Sequence, residues 1–220
     1  MRLVNDRFTV KVNEIFYSIQ GESTYSGMPC IFIRLSGCNL RCSWCDTTYA
    51  YDQGFDITID DILKQVKKFN CRLVEVTGGE PLLQAGTPVL IERLLNKGYE
   101  VLLETNGSLD TTGIDKRCIK IIDVKCPSSG ESKKNRLENL KRLTPLDQVK
   151  FVIKTKDDYD FAKKILKEIP GISGNRVLFS PVSKKLKPSL LAEWILDDGL
   201  KVRLHLQIHK IVWPDIKKGV

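Results

Sequence analysis

The feature that most constrains the fold is a regular alternation of short apolar segments with amphipathic ones. Apolar runs of this length are typical of parallel strands covered on both faces. They occur at 30–35, 73–77, 100–104, 119–124, 149–154 and 177–180. Strands that alternate with helices indicate βαβ units. About six strands are too few for a closed eight-stranded barrel, so we predict an α/β fold that forms an open partial (β/α) barrel.

The segments between these runs complete the prediction. The segment 8–16 partly alternates and predicts an amino-terminal strand, and 201–212 is interpreted as a final strand region. We predict helices at 58–69, with Thr58 as the cap, at 87–97, at 157–169 with acidic capping residues, and at 188–196. The polar stretch 130–144 is interpreted as a loop plus a short helix.

Length and composition set further limits. A chain of 220 residues that is 42% hydrophobic can bury a full core, and we expect one domain over 1–220. No apolar stretch approaches the roughly 18 residues of a membrane span, and residues 1–7 show no signal-peptide core. We therefore expect a cytoplasmic protein with no membrane partner.

The net charge of +8 allows nucleic acid, acidic partners or anionic ligands. The lysines are scattered singly and in pairs, as at 163–164 and 184–185, and no long basic run contains interleaved aromatic residues. A solvated surface explains this distribution better than direct nucleic-acid binding. An acidic electron-donor protein could also use such a surface.

Three of the seven cysteines, Cys38, Cys42 and Cys45, lie within eight residues in the spacing C-x3-C-x2-C. A structural zinc site usually has four Cys or His ligands, and iron–sulfur clusters are likewise held by thiolates, normally four per cluster. Three thiolates on one loop would leave one iron of a [4Fe–4S] cluster open to another ligand. The spacing therefore predicts a catalytic cluster.

The remaining four cysteines lie in or beside apolar runs, where buried free thiols are the expected state. They are Cys30, Cys71, Cys118 and Cys126.

Polar loops follow the predicted strands. Because carboxyl ends of parallel strands meet at one edge, we expect these loops to converge on one face. They lie at 18–23, 38–47, 77–81, 105–107, 125–129 and 179–182.

The cysteine loop together with Thr77-Gly78-Gly79-Glu80-Pro81 resembles the radical S-adenosylmethionine (SAM) superfamily. The two glycines allow close approach of a ligand to the backbone, although a simple turn would use them as well. The resemblance implies a [4Fe–4S] cluster whose open iron takes the amino and carboxylate groups of SAM. It also implies that the glycine loop binds SAM.

Further motifs resemble the 7-carboxy-7-deazaguanine synthases over almost the whole chain. These motifs lie at 16–23, at Arg34, at 44–47, at 123–129 and in the ending that contains Gln207 and His209. The resemblance implies conversion of 6-carboxy-5,6,7,8-tetrahydropterin to 7-carboxy-7-deazaguanine with loss of ammonia, on the route to queuosine and archaeosine. It implies that the deoxyadenosyl radical takes hydrogen from C6 and that SAM is regenerated.

The same resemblance assigns the site residues, with no catalytic side chain because the SAM-derived radical does the chemistry. Cys38, Cys42 and Cys45 would bind the cluster, and Thr47 would bind Mg²⁺ through its hydroxyl. The implied SAM contacts are Trp44, Cys45, Asp46, Gly79, Glu80, Lys125, Cys126, Pro127 and Ser180. The implied substrate contacts are Ile19, Gln20, Gly21, Glu22, Arg34, Thr77, Gln207, His209 and Val220.

Plainer interpretations exist for several of these residues. Arg34, predicted to pair with the substrate carboxylate, could instead be a strand arginine paired with a surface acid. Asp46 and Thr47 could simply cap a helix, Cys126 could be core packing, and a single histidine such as His209 is more often structural.

Two other functions stay open at this point. A glycyl-radical-enzyme activase of the same superfamily would share the cluster loop but need not share Arg34 or residues 20–22. A zinc-stabilised nucleic-acid-binding module would need a fourth ligand near the cysteines, and His205 and His209 are the only histidines. The family resemblance also implies a homodimer and a flavodoxin- or ferredoxin-type electron donor.

Overall fold

The computed structural model describes residues 8–169, 172, 174–216 and 218–220. Nine strands form one sheet: β1 (Thr9–Ile19), β2 (Pro29–Leu35), β3 (Phe55–Thr58), β4 (Leu73–Gly78), β5 (Glu100–Thr105), β6 (Ile119–Val124), β7 (Gln148–Ile153), β8 (Val177–Pro181) and β9 (Arg203–Leu204). Their order is β3-β1-β2-β4-β5-β6-β7-β8-β9, and within the described residues the two edge strands do not pair.

The prediction of an open partial barrel is confirmed. Strands β2 and β4 to β9 form a continuous set of parallel pairs. Strand β1 pairs antiparallel with both β2 and β3. Six full-length parallel strands, β2 and β4 to β8, correspond to the six apolar runs of the sequence, and β9 adds two residues.

The helices α1 (Ile59–Val66), α2 (Thr87–Asn96), α3 (Lys156–Lys167) and α4 (Pro188–Asp197) cover the outer face of the sheet. The short helix α5 (His209–Val212) lies instead on the inner side, at the cavity described below. The hydroxyl of Thr58 accepts from the N–H of Asp61 and caps α1 as predicted. The predicted acidic capping of α3 is present in part, because Asp158 forms a capping box with Thr155, which is the N-cap residue. The stretch 130–144 contains two short 3₁₀ segments, Ser132–Lys134 and Leu137–Arg142.

The two faces of the sheet differ in chemistry. Outward residues such as Val74, Val76 and Leu103 pack in a core with α1 and α2. Inward residues at the amino ends of the strands, including Phe32 and Leu102, form a smaller apolar floor. Above this floor the inward side chains become polar, and the cavity described below begins.

Two predicted features are wrong. The segment 201–212 was interpreted as a strand region, but the strand ends at Leu204 and α5 follows. The N–H of His205 still bonds to the carbonyl of Phe179, and the next ladder bond would need the N–H of Pro181, which proline lacks. The loop at 18–23 also leaves β1 at the end opposite to the cysteine loop, because β1 runs against β2.

Of the four cysteines predicted to be buried, Cys30, Cys118 and Cys126 are buried. Cys71 is half-buried because it follows α1 outside the sheet. No helix in the described ranges is long and apolar enough to cross a bilayer.

Candidate active site

A cavity of about 610 Å³ lies inside the partial barrel, within the size range of small-molecule sites. The strand-end loops converge on it as predicted, and the loop at 18–23 reaches it from the opposite end. Most of the predicted site residues line it, and these are Ile19, Gln20, Gly21, Glu22, Arg34, Cys38, Cys42, Trp44, Cys45, Asp46, Thr47, Thr77, Gly79, Lys125, Gln207, His209 and Val220.

The three clustered cysteines lie on the cavity wall, and each is partly exposed. Burial raises the pKa of the Cys42 thiol to about 11, while the charge of Lys125 acts in the opposite direction. Ser43 fixes the loop, since its N–H donates to the Ser129 carbonyl at 3.0 Å and its hydroxyl to the Ser128 carbonyl at 2.9 Å. The thiols are thus held beside open space, and the charge of Lys125 opposes the effect of burial on the pKa of Cys38 and of Cys42.

These residues fit an iron–sulfur cluster. In the described part of the chain, no three Cys, His, Asp or Glu side chains are grouped closely enough to share one metal ion. A cubane does not need such a group, because each of its cysteine thiolates binds a different iron. The donor set of three cysteines beside an open cavity therefore suits a [4Fe–4S] cluster better than a single ion.

Gly79 brings the glycine loop against the cysteine loop. A Cβ atom at this position would lie 2.2 Å from the Gly37 carbonyl oxygen and 2.8 Å from the Cys38 Cβ, so no larger residue fits. The neighbouring N–H of Glu80 donates to the same Gly37 carbonyl at 2.7 Å. This approach leaves exposed backbone at the cavity wall, where a ligand such as SAM could bind.

Four predicted SAM contacts do not line the cavity. The buried carboxylate of Glu80 accepts hydrogen bonds from the N–H groups of Leu82 and Asn106 and from the Thr105 hydroxyl. These bonds place Glu80 as a link between two strand-end loops. Cys126 and Ser180 are buried outside the cavity, and Pro127 is exposed beyond it.

A layer of charged side chains inside the barrel was missed by the sequence reasoning. Glu75, Glu104, Asp123 and Lys150 each project inward from consecutive strands β4 to β7 and line the cavity. The available indication was that each of these four mostly apolar runs contains one or two charged residues. In a strand covered on both faces, such a residue needs a polar interior.

Lys150 is the centre of this layer. Its ammonium lies 2.7 Å from Glu22 Oε2 and 3.5 Å from Asp123 Oδ2, and it also donates to Glu104 Oε1. Burial alone would lower the pKa of Lys150, but Glu104 and Glu22 raise it well above the ordinary value. Burial would raise the pKa of Glu22, but the charge of Lys150 holds it well below its usual range.

The loop at 20–22 closes the cavity against the carboxy-terminal segment. A Cβ atom on Gly21 would lie 1.9 Å from His209 Nδ1, so glycine is required for this contact. Gln207 Nε2 donates to Glu22 Oε1 at 2.5 Å, and the N–H of Ile208 donates to the Gly21 carbonyl. Burial lowers the pKa of His209 despite the charge of Glu22, which favours a neutral imidazole at the cavity wall.

Arg34 combines features of both interpretations given above. Its Nε donates to Glu14 Oε1 at 2.8 Å, but this acid is mostly buried and does not belong to the open surface. The Tyr49 hydroxyl donates to the same Glu14 oxygen at 2.9 Å. Arg34 lines the cavity, so Glu14 fixes a guanidinium there that has further donors to offer.

Thr47 precedes the 3₁₀ turn Thr48–Ala50, yet its side chain makes no cap bond and instead donates to Asp46 Oδ1 at 2.9 Å. The simple capping interpretation of Thr47 is therefore not realised. Asp46 also accepts from Lys210 of α5. Partial burial acts to raise the pKa of Asp46, but Lys210 holds it below the ordinary value. These contacts keep a hydroxyl and a carboxylate beside Cys45 at the cavity wall, and such oxygens suit Mg²⁺.

Comparisons with known proteins show the family of the chain. Residues 32–178 match the model of the radical SAM superfamily. The chain is 44% identical to the 7-carboxy-7-deazaguanine synthase of Koribacter versatilis, over 96% of this chain and all of that protein. It is 46% identical to the enzyme of the same name from Chlorobaculum tepidum, over 96% of this chain and 97% of that protein.

The fold has a solved counterpart. The crystal structure of QueE from Escherichia coli aligns with a TM-score of 0.77 at 22% identity, over 90% of this chain and 94% of that one. Together with the two full-length relatives, the superfamily match excludes the zinc-stabilised nucleic-acid-binding module as the basis of the fold. The chain belongs to the 7-carboxy-7-deazaguanine synthase family of the radical SAM superfamily.

Proposed function

We propose that this protein converts 6-carboxy-5,6,7,8-tetrahydropterin to 7-carboxy-7-deazaguanine with release of ammonia, in the 7-deazapurine pathway. The observation that carries this proposal is the full-length similarity to two 7-carboxy-7-deazaguanine synthases at 44% and 46% identity. That similarity favours this reaction over activation of a glycyl-radical enzyme.

The cluster and SAM would bind at neighbouring parts of the cavity. When bound, the [4Fe–4S] cluster and SAM together supply a deoxyadenosyl radical that can take hydrogen from the substrate. Cys38, Cys42 and Cys45 hold the cluster, and Gly79 and Lys125 lie where SAM would bind. Trp44 and Asp46 line the same part of the cavity.

The substrate occupies the rest of the cavity. The guanidinium of Arg34, fixed by Glu14, pairs with the substrate carboxylate. The hydroxyl of Thr47 would be a protein ligand to Mg²⁺, a hard cation that would offset the charge of the substrate carboxylate. Thr77 and His209 contact the ring, as do the residues at 19–22 and Gln207, and the carboxy-terminal Val220 reaches the same wall.

The wider setting follows the same proposal. We expect one folding domain, a cytoplasmic location and a homodimer, which sedimentation velocity would test. We also expect a flavodoxin- or ferredoxin-type electron donor, since the exposed Lys184 and Lys185 at the cavity provide positive charge that suits an acidic protein.

Anaerobic reconstitution tests the proposal. The wild-type protein should gain a brown [4Fe–4S] chromophore and, with reductant, SAM, Mg²⁺ and substrate, yield 7-carboxy-7-deazaguanine by mass spectrometry. Cys42→Ala should lose the chromophore, while Cys118→Ala, a buried cysteine outside the cavity, should retain it. Absence of product from a wild-type protein with an intact cluster would refute the assignment.

A further inference from the structure

Glu75 differs from the other carboxylates of the charged layer. Glu22, Glu104 and Asp123 each contact Lys150, and Asp123 also accepts from Lys125 at 2.9 Å. Glu75 is only 5% exposed and forms no ion pair with any described residue. Its hydrogen-bond donor is a neutral amide, Gln20 Nε2, at 2.5 Å from Glu75 Oε2.

The orientation of that amide is fixed. Gln20 Oε1 accepts from the backbone N–H of Glu22 at 3.1 Å, so the NH₂ group must face Glu75. One oxygen of Glu75 is therefore an acceptor for Gln20. Oε1 makes no hydrogen bond within the described part of the chain, and Glu75 lines the cavity. This free oxygen can carry a proton and offer it to a bound molecule.

The surroundings favour the protonated form. An ionised carboxylate that is buried without a cation is unfavourable, so the group takes up a proton instead. Burial, and then the charge of Glu104, raise the pKa of Glu75 to about 8, against the hydrogen bond from Gln20.

The neighbouring groups do not change this result. Glu22 adds negative charge, and Lys150 is shared among three other carboxylates. On the adjoining strand, the charge of Arg34 interacts with Glu75, but its ion pair is with Glu14 at 2.8 Å. The thiol of Cys30 stays neutral because burial raises its pKa strongly.

Glu104 is the adjacent carboxylate on the next strand. Glu75 is in register with Leu102, so Glu104 projects from the same face two residues further along β5. Burial raises the pKa of Glu104 to about 7, while Lys150 acts to lower it. Glu75 and Glu104 thus line one cavity in different environments. Such a difference allows one carboxyl group to act as an acid and the other as a base.

We propose that Glu75 is the general acid that protonates the leaving nitrogen and that Glu104 takes up the proton lost by the ring carbon. This inference rests on the proposed function, because that reaction releases ammonia. The C–N bond breaks, its electron pair goes to the nitrogen, and the Glu75 proton completes the ammonia. The adjacent carbon loses a proton to Glu104, and a new C=C bond forms. Transfer of a proton from Glu104 to Glu75 restores the pair, and no oxidant or reductant is consumed.

The test uses the reconstituted enzyme and Glu75→Gln, which keeps the shape and the hydrogen bonding but has no proton to give. We expect product formation to fall by about 10²- to 10⁴-fold. Transfer of deuterium from C6-labelled substrate into SAM should persist, because it precedes nitrogen loss. The surface variant Glu92→Gln should match the wild type in both measurements.

Two results would overturn the acid role. One is wild-type product formation by Glu75→Gln, and the other is an equal loss of product and of deuterium transfer, which would indicate a purely structural role.

Infrared spectroscopy of the substrate-free protein gives a separate readout, independent of turnover. A protonated-carboxyl band that titrates near pH 8 should be present in the wild type and missing from Glu75→Gln, which keeps only the bands that titrate lower, such as that of Glu104 near pH 7. A wild-type protein without the band near pH 8 would also refute the proposal. Failure of the wild type to form product would refute the proposed function instead.

Discussion

Lys150 Nζ lies 2.7 Å from Glu22 Oε2, although the two residues are 128 positions apart in the chain. This contact joins the loop after β1 to strand β7 across the interior of the barrel. Because Lys150 also binds Glu104 and Asp123, one buried cation holds three carboxylates in the wall of the cavity.

Replacing Lys150 should destabilise the protein strongly. Lys150→Met leaves three buried carboxylates without their shared cation, and breaking a buried ion pair from one side typically costs about 3–5 kcal/mol. We expect a clearly lower midpoint of thermal unfolding for the reconstituted protein. Lys163→Met, which removes a solvent-screened contact with Asp198, should leave the unfolding midpoint nearly unchanged. Equal effects of the two variants would contradict the central role of Lys150.

Gly21 should be intolerant of a methyl group. Gly21→Ala would place a Cβ atom 1.9 Å from His209 Nδ1 and displace the imidazole from the cavity wall. Misplacement of this kind can cost about 10²-fold in rate, and we expect such a loss in kcat/KM. The matched control is Gly113→Ala, whose Cβ would meet no atom within 4 Å. Wild-type kinetics in Gly21→Ala would show that His209 does not position the substrate.

Thr47 should determine the response to Mg²⁺. Thr47→Ala removes the hydroxyl that we place on the ion, so activity should rise less when Mg²⁺ is added. The neighbouring exposed Thr48 provides the control as Thr48→Ala. Titration of the initial rate with Mg²⁺ measures the effect. A Thr47→Ala curve that coincides with the wild-type curve would count against this site.

The free energy of unfolding should decrease as pH rises, and part of this decrease should come from Glu75. Its pKa is raised from 4.5 to about 8 on folding, so the folded state binds more protons between these values. Stability therefore decreases as pH rises through this window, by at most about 1.4 kcal/mol per pH unit for one proton. In Glu75→Gln this contribution is absent, and the unfolding midpoint should fall less between pH 6 and pH 8. Parallel pH profiles for wild type and variant would contradict the raised pKa.

The sequence predicted much of the fold because each parallel strand is a continuous apolar run. The short strand β3 was missed, since its four residues, which pair only with β1, are too few for their alternation to be recognised. The region 201–212 was misinterpreted because strand β9 ends where Pro181, on the neighbouring strand β8, has no N–H for the next hydrogen bond.

The site was predicted where a motif is local. The cysteines, Gly79 and Thr47 belong to short patterns and lie on the cavity as expected. Glu75 and Lys150 were not found, because the partners of an inward charge are distant in sequence. Glu80, predicted as a SAM contact, does not line the cavity for a related reason, since its carboxylate accepts from the backbone of Leu82 and Asn106.

The most direct test of this account is a stoichiometry. The reconstituted enzyme, supplied with reductant, SAM, Mg²⁺ and 6-carboxytetrahydropterin, should form 7-carboxy-7-deazaguanine and ammonia in equal amounts while SAM is retained over many turnovers. A protein with an intact cluster that leaves the pterin unchanged, or that consumes one SAM for each product, would contradict the account.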